Sequence, residues 1–279
     1  MTLQEAIQIF KDHQKISVRE KTRESYDYLF RNLGALLGEG EFTQISSQDL
    51  LEFLLLLTEG SAKSTARLRY AQLKAFFNFI IERTHTQMTN PCNDSLLSKT
   101  FRAPRMKQRE IIGREVVDEI IYRCPKVRNR LILELQARCG MRIGEVLNLH
   151  ASDVNGRRLT LRRPKSGREE ESAFMPETVA ARLKAYIEGR NLFAEDRIFP
   201  ICYSTARSFV KRLGDTMKMK IRPHDLRRHS ATYASRNGVP LEVISKVILR
   251  HQDLKTTQMY LGKISEVEAL RWMDVLHGK

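Results

Sequence analysis

The chain has 279 residues, 42% of them hydrophobic, and 48 Lys+Arg against 33 Asp+Glu give it a formal net charge of +15. That length suits two domains, each with enough apolar residues to bury a core. No apolar run reaches the ~20 residues of a membrane-spanning helix, and Met1-Thr2-Leu3-Gln4-Glu5 lacks the charged and apolar regions of a secretion signal.

Cys92, Cys124, Cys139 and Cys202 are scattered, without Cys-x-x-Cys spacing or paired histidines, which argues against a zinc site or a disulfide framework. Reduced thiols in a cytoplasmic protein are the expectation. The charge is unevenly placed: residues 1–98 carry 11 basic and 12 acidic side chains, residues 99–109 five basic and none acidic, and residues 110–279 carry 32 basic and 21 acidic. Positive charge concentrated in the connector and the C-terminal part favours a polyanion such as nucleic acid, although charge alone also serves solubility.

Thr2-x-x-Glu5 and Ser17-x-x-Glu20 have the capping-box pattern, each opening an apolar helical stripe: Leu3, Ile7 and Phe10, then Tyr26, Phe30, Leu33 and Leu37. A third helix follows Ser47. A fourth spans about 64–82, with Leu73, Phe76, Phe77 and Ile80 on its apolar side and Lys63, Arg67 and Lys74 on another. Taken alone, those three cations fit a solvated face as well as a phosphate-facing one. Segment 99–109, with Lys99, Arg102, Arg105, Lys107 and Arg109, carries charge without apolar periodicity and reads as an extended linker.

Helices resume after Gly113, and 127–138 is a core helix stopped by Gly140. Gly140-Met141-Arg142-Ile143-Gly144-Glu145 then starts another helix with Arg142 at its head. Within 157–175 the period changes: Arg158-Leu159-Thr160-Leu161-Arg162 alternates, Lys165-Ser166-Gly167 has turn composition, and Ser172-Ala173-Phe174-Met175 can return as a partner strand. The result is a hairpin with Lys165 at its tip. Helices around 180–187 and 204–213 follow.

Arg222-Pro223-His224-Asp225-Leu226-Arg227 reads as a helix start with Asp225 as the N-cap candidate, and Gly238 with Pro240 as its end. His224 and Arg227 then share a helix N-terminus, where free N–H groups and a guanidinium fork suit phosphate. At this point a chance pattern in an arginine-rich chain is an equal alternative. His251 and Tyr260 could not act on one atom from a single helix, because nine helical residues span about 13 Å. Asp253 can cap a new short helix carrying Thr256, Thr257 and Tyr260, which folds the tyrosine back toward His251. A last helix, 265–276, places Val267, Leu270 and Met273 on one side.

In this order, His224-x-x-Arg227, Leu249-x-His251 and Asp253-Leu254-x-Thr256-Thr257-x-x-Tyr260 resemble the C-terminal signature of the tyrosine recombinases, the phage integrase and Xer family. Gly140-x-Arg142-x-x-Glu145 resembles the family's first arginine box. The hairpin bearing Lys165 resembles its catalytic lysine loop, with Arg163 and Arg168 as rivals. The resemblance implies a mainly α fold with a small antiparallel β-sheet: a helical, SAM-like core-binding domain over 1–98, a basic linker over 99–109, and a mixed α/β catalytic domain over 110–279. With no arm-binding domain before Thr2, the architecture looks closer to Xer proteins and minimal integrases than to the lambda type. Arg250 stands where family members commonly carry glycine, a departure that bears on the local backbone.

The function implied is site-specific DNA recombination. Tyr260 would attack a phosphodiester and remain on the 3′-phosphate, conserving the bond's energy without metal, ATP or any other cofactor. By resemblance Arg142 and Arg227 hold the nonbridging oxygens, His251 adds a hydrogen bond, Lys165 protonates the departing 5′-oxygen, and His224 is the acid/base beside the tyrosine. Lys63, Arg67, Lys74, Arg102, Arg105, Lys107 and Arg109 are the DNA-contact candidates. The implied partner is double-stranded DNA, at a recombination site or Holliday junction, held by a homotetramer that can be monomeric in solution, with no membrane involved. A prokaryotic, phage or mobile-element origin goes with this. Nicking or relaxing chemistry of the type IB topoisomerase kind is a close variant. The alternative from a different class is an architectural DNA-binding protein, catalytically silent or partner-dependent, which the intact set of six residues disfavours.

Overall fold

The computed structural model describes residues 1–38, 40–103, 111–162, 170–261 and 266–278. Its contacts divide the chain into Met1–Lys107 and Gln108–Lys279. The described residues are mostly helical, with one three-stranded antiparallel sheet, in agreement with the fold class read from the sequence.

In the first unit the Thr2 hydroxyl accepts the Glu5 N–H and the Glu5 carboxylate accepts the Thr2 N–H, starting α1 (Leu3–Ser17) at its capping box. The second expected box is absent. Ser17 is the last residue of α1, its hydroxyl donates to the His13 carbonyl at 3.0 Å, and α2 (Glu20–Leu37) takes Arg19 as its N-cap. A serine able to bond the carbonyl four residues back serves a helix end as readily as a helix start. Next come α3 (Ser47–Leu57), α4 (Lys63–Thr84) and α5 (Ser95–Thr100).

Phe76 sits at the centre of this unit's core, with Phe10, Phe30 and Phe42 in edge-on contact at 5.4, 4.9 and 5.9 Å between ring centroids. The basic stretch expected to run extended from Lys99 instead begins inside α5, and Phe101 is buried in the same core. Asp94 caps α5 by accepting the Leu96 and Leu97 N–H groups, and burial of Leu97 and Phe101 holds it down. Apolar residues before and between the first cations thus override the extended expectation there.

The second unit begins with α6 (Arg114–Arg123) and α7 (Val127–Ala137). From Leu131 to Ala137 every residue of α7 is buried, including Glu134, whose carboxylate is held by both ends of the Arg182 fork at 2.7 and 3.1 Å. Then come α8 (Ile143–Leu147), β1 (Val154–Asn155), β2 (Arg158–Arg162) and β3 (Glu170–Phe174). The alternation seen in sequence becomes β2, with Leu159 and Leu161 buried, and the register pairs Arg158 with Phe174 and Leu161 with Glu171. β1, two residues long, was not foreseen, being too short to carry a period.

α9 (Glu177–Gly189), α10 (Tyr203–Thr216) and α11 (Pro223–Arg236) follow. After α12 (Leu241–Val243) the chain widens into a π-turn over Ile244–Ile248, then forms α13 (Leu254–Leu261) and α14 (Glu266–His277). α11 packs on α7, on α13 and on the π-turn, and β3 packs on the π-turn. These contacts gather the sequence motifs at one place.

Candidate active site

Pro223 occupies the first position of α11, so the N-cap falls on Arg222, and Asp225 sits at the third position, accepting the Arg222 N–H at 2.9 Å. Asp225 is therefore the partner of the cap and not the cap itself, because a proline at the first helical turn position fixes the boundary one residue earlier. The Gln136 side chain donates to the Pro223 carbonyl at 3.0 Å and pins this start to the buried helix α7. His224 is left exposed in the first turn, while Arg227 is fully buried.

Arg227 donates to the backbone carbonyls of Gly140 and Leu249 and lies 3.4 Å from His251 Nε2. Its Nε finds no acceptor among the described residues. Both carbonyls are brought to it by backbone shape. Gly140 has φ +62°, and a Cβ there would stand 2.6 Å from Ile248 Cγ2 and 2.8 Å from the Ile248 carbonyl oxygen, so only glycine lets this loop press on the π-turn. In that turn the Leu249 N–H donates to Ile244 at 2.8 Å and the His251 N–H to Ser245 at 2.9 Å, which aims the Leu249 carbonyl and the His251 ring toward Arg227.

Arg142 caps α8. Its N–H donates to Glu145 Oε2 at 2.8 Å and its guanidinium to Glu145 Oε1 at 2.5 Å. Arg250 donates to the same Oε2 at 2.7 Å, and Arg227 stands 4.0 Å from it, so one carboxylate faces three arginines. Burial pushes the Glu145 carboxyl up, but Arg250 and Arg142 outweigh it and hold it below the usual carboxylate value.

His251 Nδ1 is 2.9 Å from the buried Thr257 hydroxyl. The Tyr260 hydroxyl is 2.5 Å from His224 Nε2, and the Tyr260 ring meets the His251 ring edge-on at 4.9 Å. α13 starts where Asp253 accepts the Lys255 N–H at 2.8 Å, and it ends where Arg228 donates to the Met259 and Tyr260 carbonyls at 2.9 and 3.1 Å. The break after His251 therefore folds the tyrosine back, as its spacing required. Arg142, His224, Arg227, His251 and Tyr260 come together. Lys165, with its rivals Arg163 and Arg168, lies outside the described residues.

Among the described residues the site is short of negative charge. Burial, then the neighbouring Arg142 and Arg250, lower Arg227 to about 9, with Glu145 only partly opposing them. Burial and the same cluster lower His251 to about 4 from an ordinary 6.5, keeping the imidazole neutral at neutral pH. A base with a depressed folded pKa leaves stability level above the unfolded value and erodes it as pH falls between the two. The thermal midpoint is thus expected to be flat above pH 6.5 and to decline from there toward pH 4. His229, also lowered by burial, adds to the decline. In a scan from pH 8 to 4 the slope should be shallower in His251→Asn; an equal slope would refute the assignment.

Sequence reasoning assigned no separate role to Glu145, Arg228, Arg250 or Thr257. Glu145 had a signal, since it lies three residues after the helix-heading Arg142. Thr257 fixes the imidazole, and Thr257→Val is expected to keep the fold while slowing any reaction that depends on His251 about 10-fold, read as a single-turnover rate. Among the DNA-contact candidates, Lys63, Arg67 and Lys74 lie on α4 within about 40° of one another at 100° per residue. Lys63 is exposed, and Arg67 lies over the Tyr70 ring at 5.2 Å. Arg102 is exposed, and Arg105, Lys107 and Arg109 lie outside the described residues.

A mainly helical fold with a small sheet and this cluster of arginines, histidines and a tyrosine defines a tyrosine recombinase, an enzyme that breaks and rejoins DNA strands at specific sites. Residues 110–266, more than half of the chain, match the model of the Phage integrase family, and the chain belongs to that family. It is 30% identical over 247 residues to tyrosine recombinase XerA of Thermococcus onnurineus, covering 84% of this chain and 82% of that one. Among solved structures it resembles the Tn1549 transposon integrase in complex with transposon right end DNA, with TM-score 0.78, 17% identity and full coverage of both chains. It also resembles a lambda integrase tetramer bound to a Holliday junction, with TM-score 0.71 and 16% identity over 93% of this chain and 77% of that one.

Proposed function

We propose that this chain recombines DNA through a 3′-phosphotyrosyl intermediate on Tyr260. The observation that carries the reading is a buried guanidinium with a free Nε, flanked by two further arginines, beside a tyrosine hydroxyl bonded to a histidine. A phosphodiester supplies the anion that this cluster lacks.

His224 Nε2 takes the phenol proton as Tyr260 Oη bonds to phosphorus. The bond from phosphorus to the 5′-oxygen breaks, and that oxygen leaves with a proton assigned, by the family resemblance alone, to Lys165. Arg142 and Arg227 hold the nonbridging oxygens throughout. The 2.9 Å hydrogen bond between His251 Nδ1 and the Thr257 hydroxyl fixes the imidazole ring beside Arg227, and the step uses the tautomer in which Thr257 donates and Nε2 carries the proton toward the phosphate. Attack on the phosphotyrosyl ester by a 5′-hydroxyl reverses the step and rejoins a strand. Exchange between two duplexes needs four such sites, and the lambda integrase tetramer on a Holliday junction supports that assembly. The stripe Lys63, Arg67 and Lys74, together with the basic connector and the division into helical and catalytic parts, contributes the phosphate contacts outside the site.

The test is a nicked suicide duplex, carrying candidate sites from the protein's own genomic neighbourhood, incubated with the protein in chelator. A covalent protein–DNA band on a denaturing gel, with the adduct mapped to the α13 peptide, is the expected result. No band on a duplex that the protein binds would refute the reading.

A further inference from the structure

Arg250 has no part in the reaction as written, yet its surroundings are unusual. Its backbone is left-handed, with φ +51°, a region in which a residue with a side chain is strained and glycine is not. Its side chain is 3% exposed, so it does not reach solvent or a duplex. Instead it touches the first arginine box, the π-turn and β3. It donates to Glu145 Oε2 at 2.7 Å, to the Ile248 carbonyl at 2.9 Å and to the Gly140 carbonyl at 3.4 Å, the carbonyl that also accepts from Arg227. Its Nε stands 3.9 Å from Glu171 Oε2, and neither of these buried atoms has a hydrogen-bond partner among the described residues. Glu171 is on β3, on the inward face, opposite Leu161.

We infer that Arg250 is a positioning residue for strand cleavage: it ties Glu145, and through it Arg142, to the turn that presents His251, and anchors β3 at the same point. The inference rests on the phosphotyrosyl reading of the site. The physical reason is that Glu145 is the only carboxylate bonded to both Arg142 and Arg250 among the described residues. With Arg250 in place Glu145 is fixed from two sides, and Arg142 is held at one distance from Arg227. Without it the carboxylate can follow Arg142 outward, and the two phosphate-holding forks lose their spacing. The interactions gained by the buried guanidinium offset the strained backbone, which is why this turn retains a side chain where glycine would sit without strain.

The test compares wild type, Arg250→Gly, Arg250→Lys, Glu145→Gln and the Arg250→Gly/Glu145→Gln double variant in single-turnover adduct formation on the suicide duplex, with affinity measured separately. Glycine suits the left-handed turn, so Arg250→Gly should fold and bind DNA as wild type does, while cleaving about 10²-fold more slowly. Arg250→Lys should recover part of the loss, since an ammonium can reach Glu145 but cannot also hold the Ile248 carbonyl. Should Arg250→Gly fail to fold, the Arg250→Lys deficit carries the same comparison.

The double variant should lose much less than the sum of the two single losses in free energy, because Arg250 acts largely through Glu145. Glu145 is faced by Arg142 from its own helix, Arg227 from α11 and Arg250 from the turn, so loss of Arg250 should move the acid limb of the rate to higher pH. A purely structural residue would lower stability and leave that limb in place. Wild-type rates and an unmoved limb in Arg250→Gly, or additive losses in the double variant, would overturn the inference while leaving the cleavage reading intact. No adduct with wild type would remove the cleavage reading and this inference with it.

Discussion

Tyr260→Phe is expected to bind DNA as wild type does and to form no covalent adduct. The change deletes one oxygen. The ring keeps its packing against His251 and His224, at 4.9 and 5.2 Å between centroids, and the backbone at residue 260 remains held by Arg228. What is lost to folding is a single hydrogen bond to an exposed histidine, worth about 1 kcal/mol or less. What is lost to chemistry is the attacking atom, and removal of a nucleophile in a comparable covalent mechanism costs about 10⁶-fold. A denaturing gel of both proteins on the suicide duplex, beside a binding assay, reads the two quantities separately. A residual adduct in the Phe protein would place the nucleophile elsewhere.

The second large effect is expected for Arg227→Lys. The charge survives and the geometry does not: the native fork spans the Gly140 and Leu249 carbonyls and still has Nε unused, whereas a lysine offers one point of donation. A lysine that reaches one carbonyl gives up the other, leaving either Leu249 without this donor or Gly140 with only the 3.4 Å contact from Arg250, at a cost of about 1–3 kcal/mol of stability. The transition-state oxygens lose a preorganised donor, and cleavage is expected to fall about 10²–10³-fold. Single-turnover rates on protein shown to be folded by circular dichroism separate the two losses. Vanadate or sulfate should raise the thermal midpoint of wild type, since an anion that binds only the folded state stabilises it, and should do so much less in Arg227→Lys. A Lys variant cleaving at more than about a tenth of the wild-type rate would show that charge alone suffices.

Much of this was legible in the sequence because the residues involved announce themselves by type. A tyrosine nine residues after a histidine, with a helix-capping aspartate between them, already implied that the chain turns back on itself, and α13 does so. Helices with a one-sided apolar stripe, such as α1, α3 and α4, were equally readable. What stayed hidden was set by boundaries and by tertiary contacts. Ser17 and Asp225 have the composition of caps, but the neighbouring Arg19 and Pro223 decide where the helices begin. α5 takes in the start of the basic stretch because Leu97 and Phe101 find a core to enter, which local charge cannot foretell. The threefold contact of Glu145 and the role of Arg250 depend on groups 105 residues apart in the chain.

The π-turn over Ile244–Ile248 carries a consequence of counting. It holds one residue more per turn than an α-helix needs, and the surplus sets the angle at which everything after it leaves. Deleting any single residue there would let the turn relax into ordinary α-helical bonding. Yet it would also remove the wide bonds from the Leu249 N–H to Ile244 and from the His251 N–H to Ser245, and with them the aim of the Leu249 carbonyl and the His251 ring at Arg227. The exposed positions Val243 and Val247 can vary in kind without such an effect. In this segment the chain's length is therefore held more tightly than most of its letters, and an insertion or deletion would disarm the site without touching one of its residues.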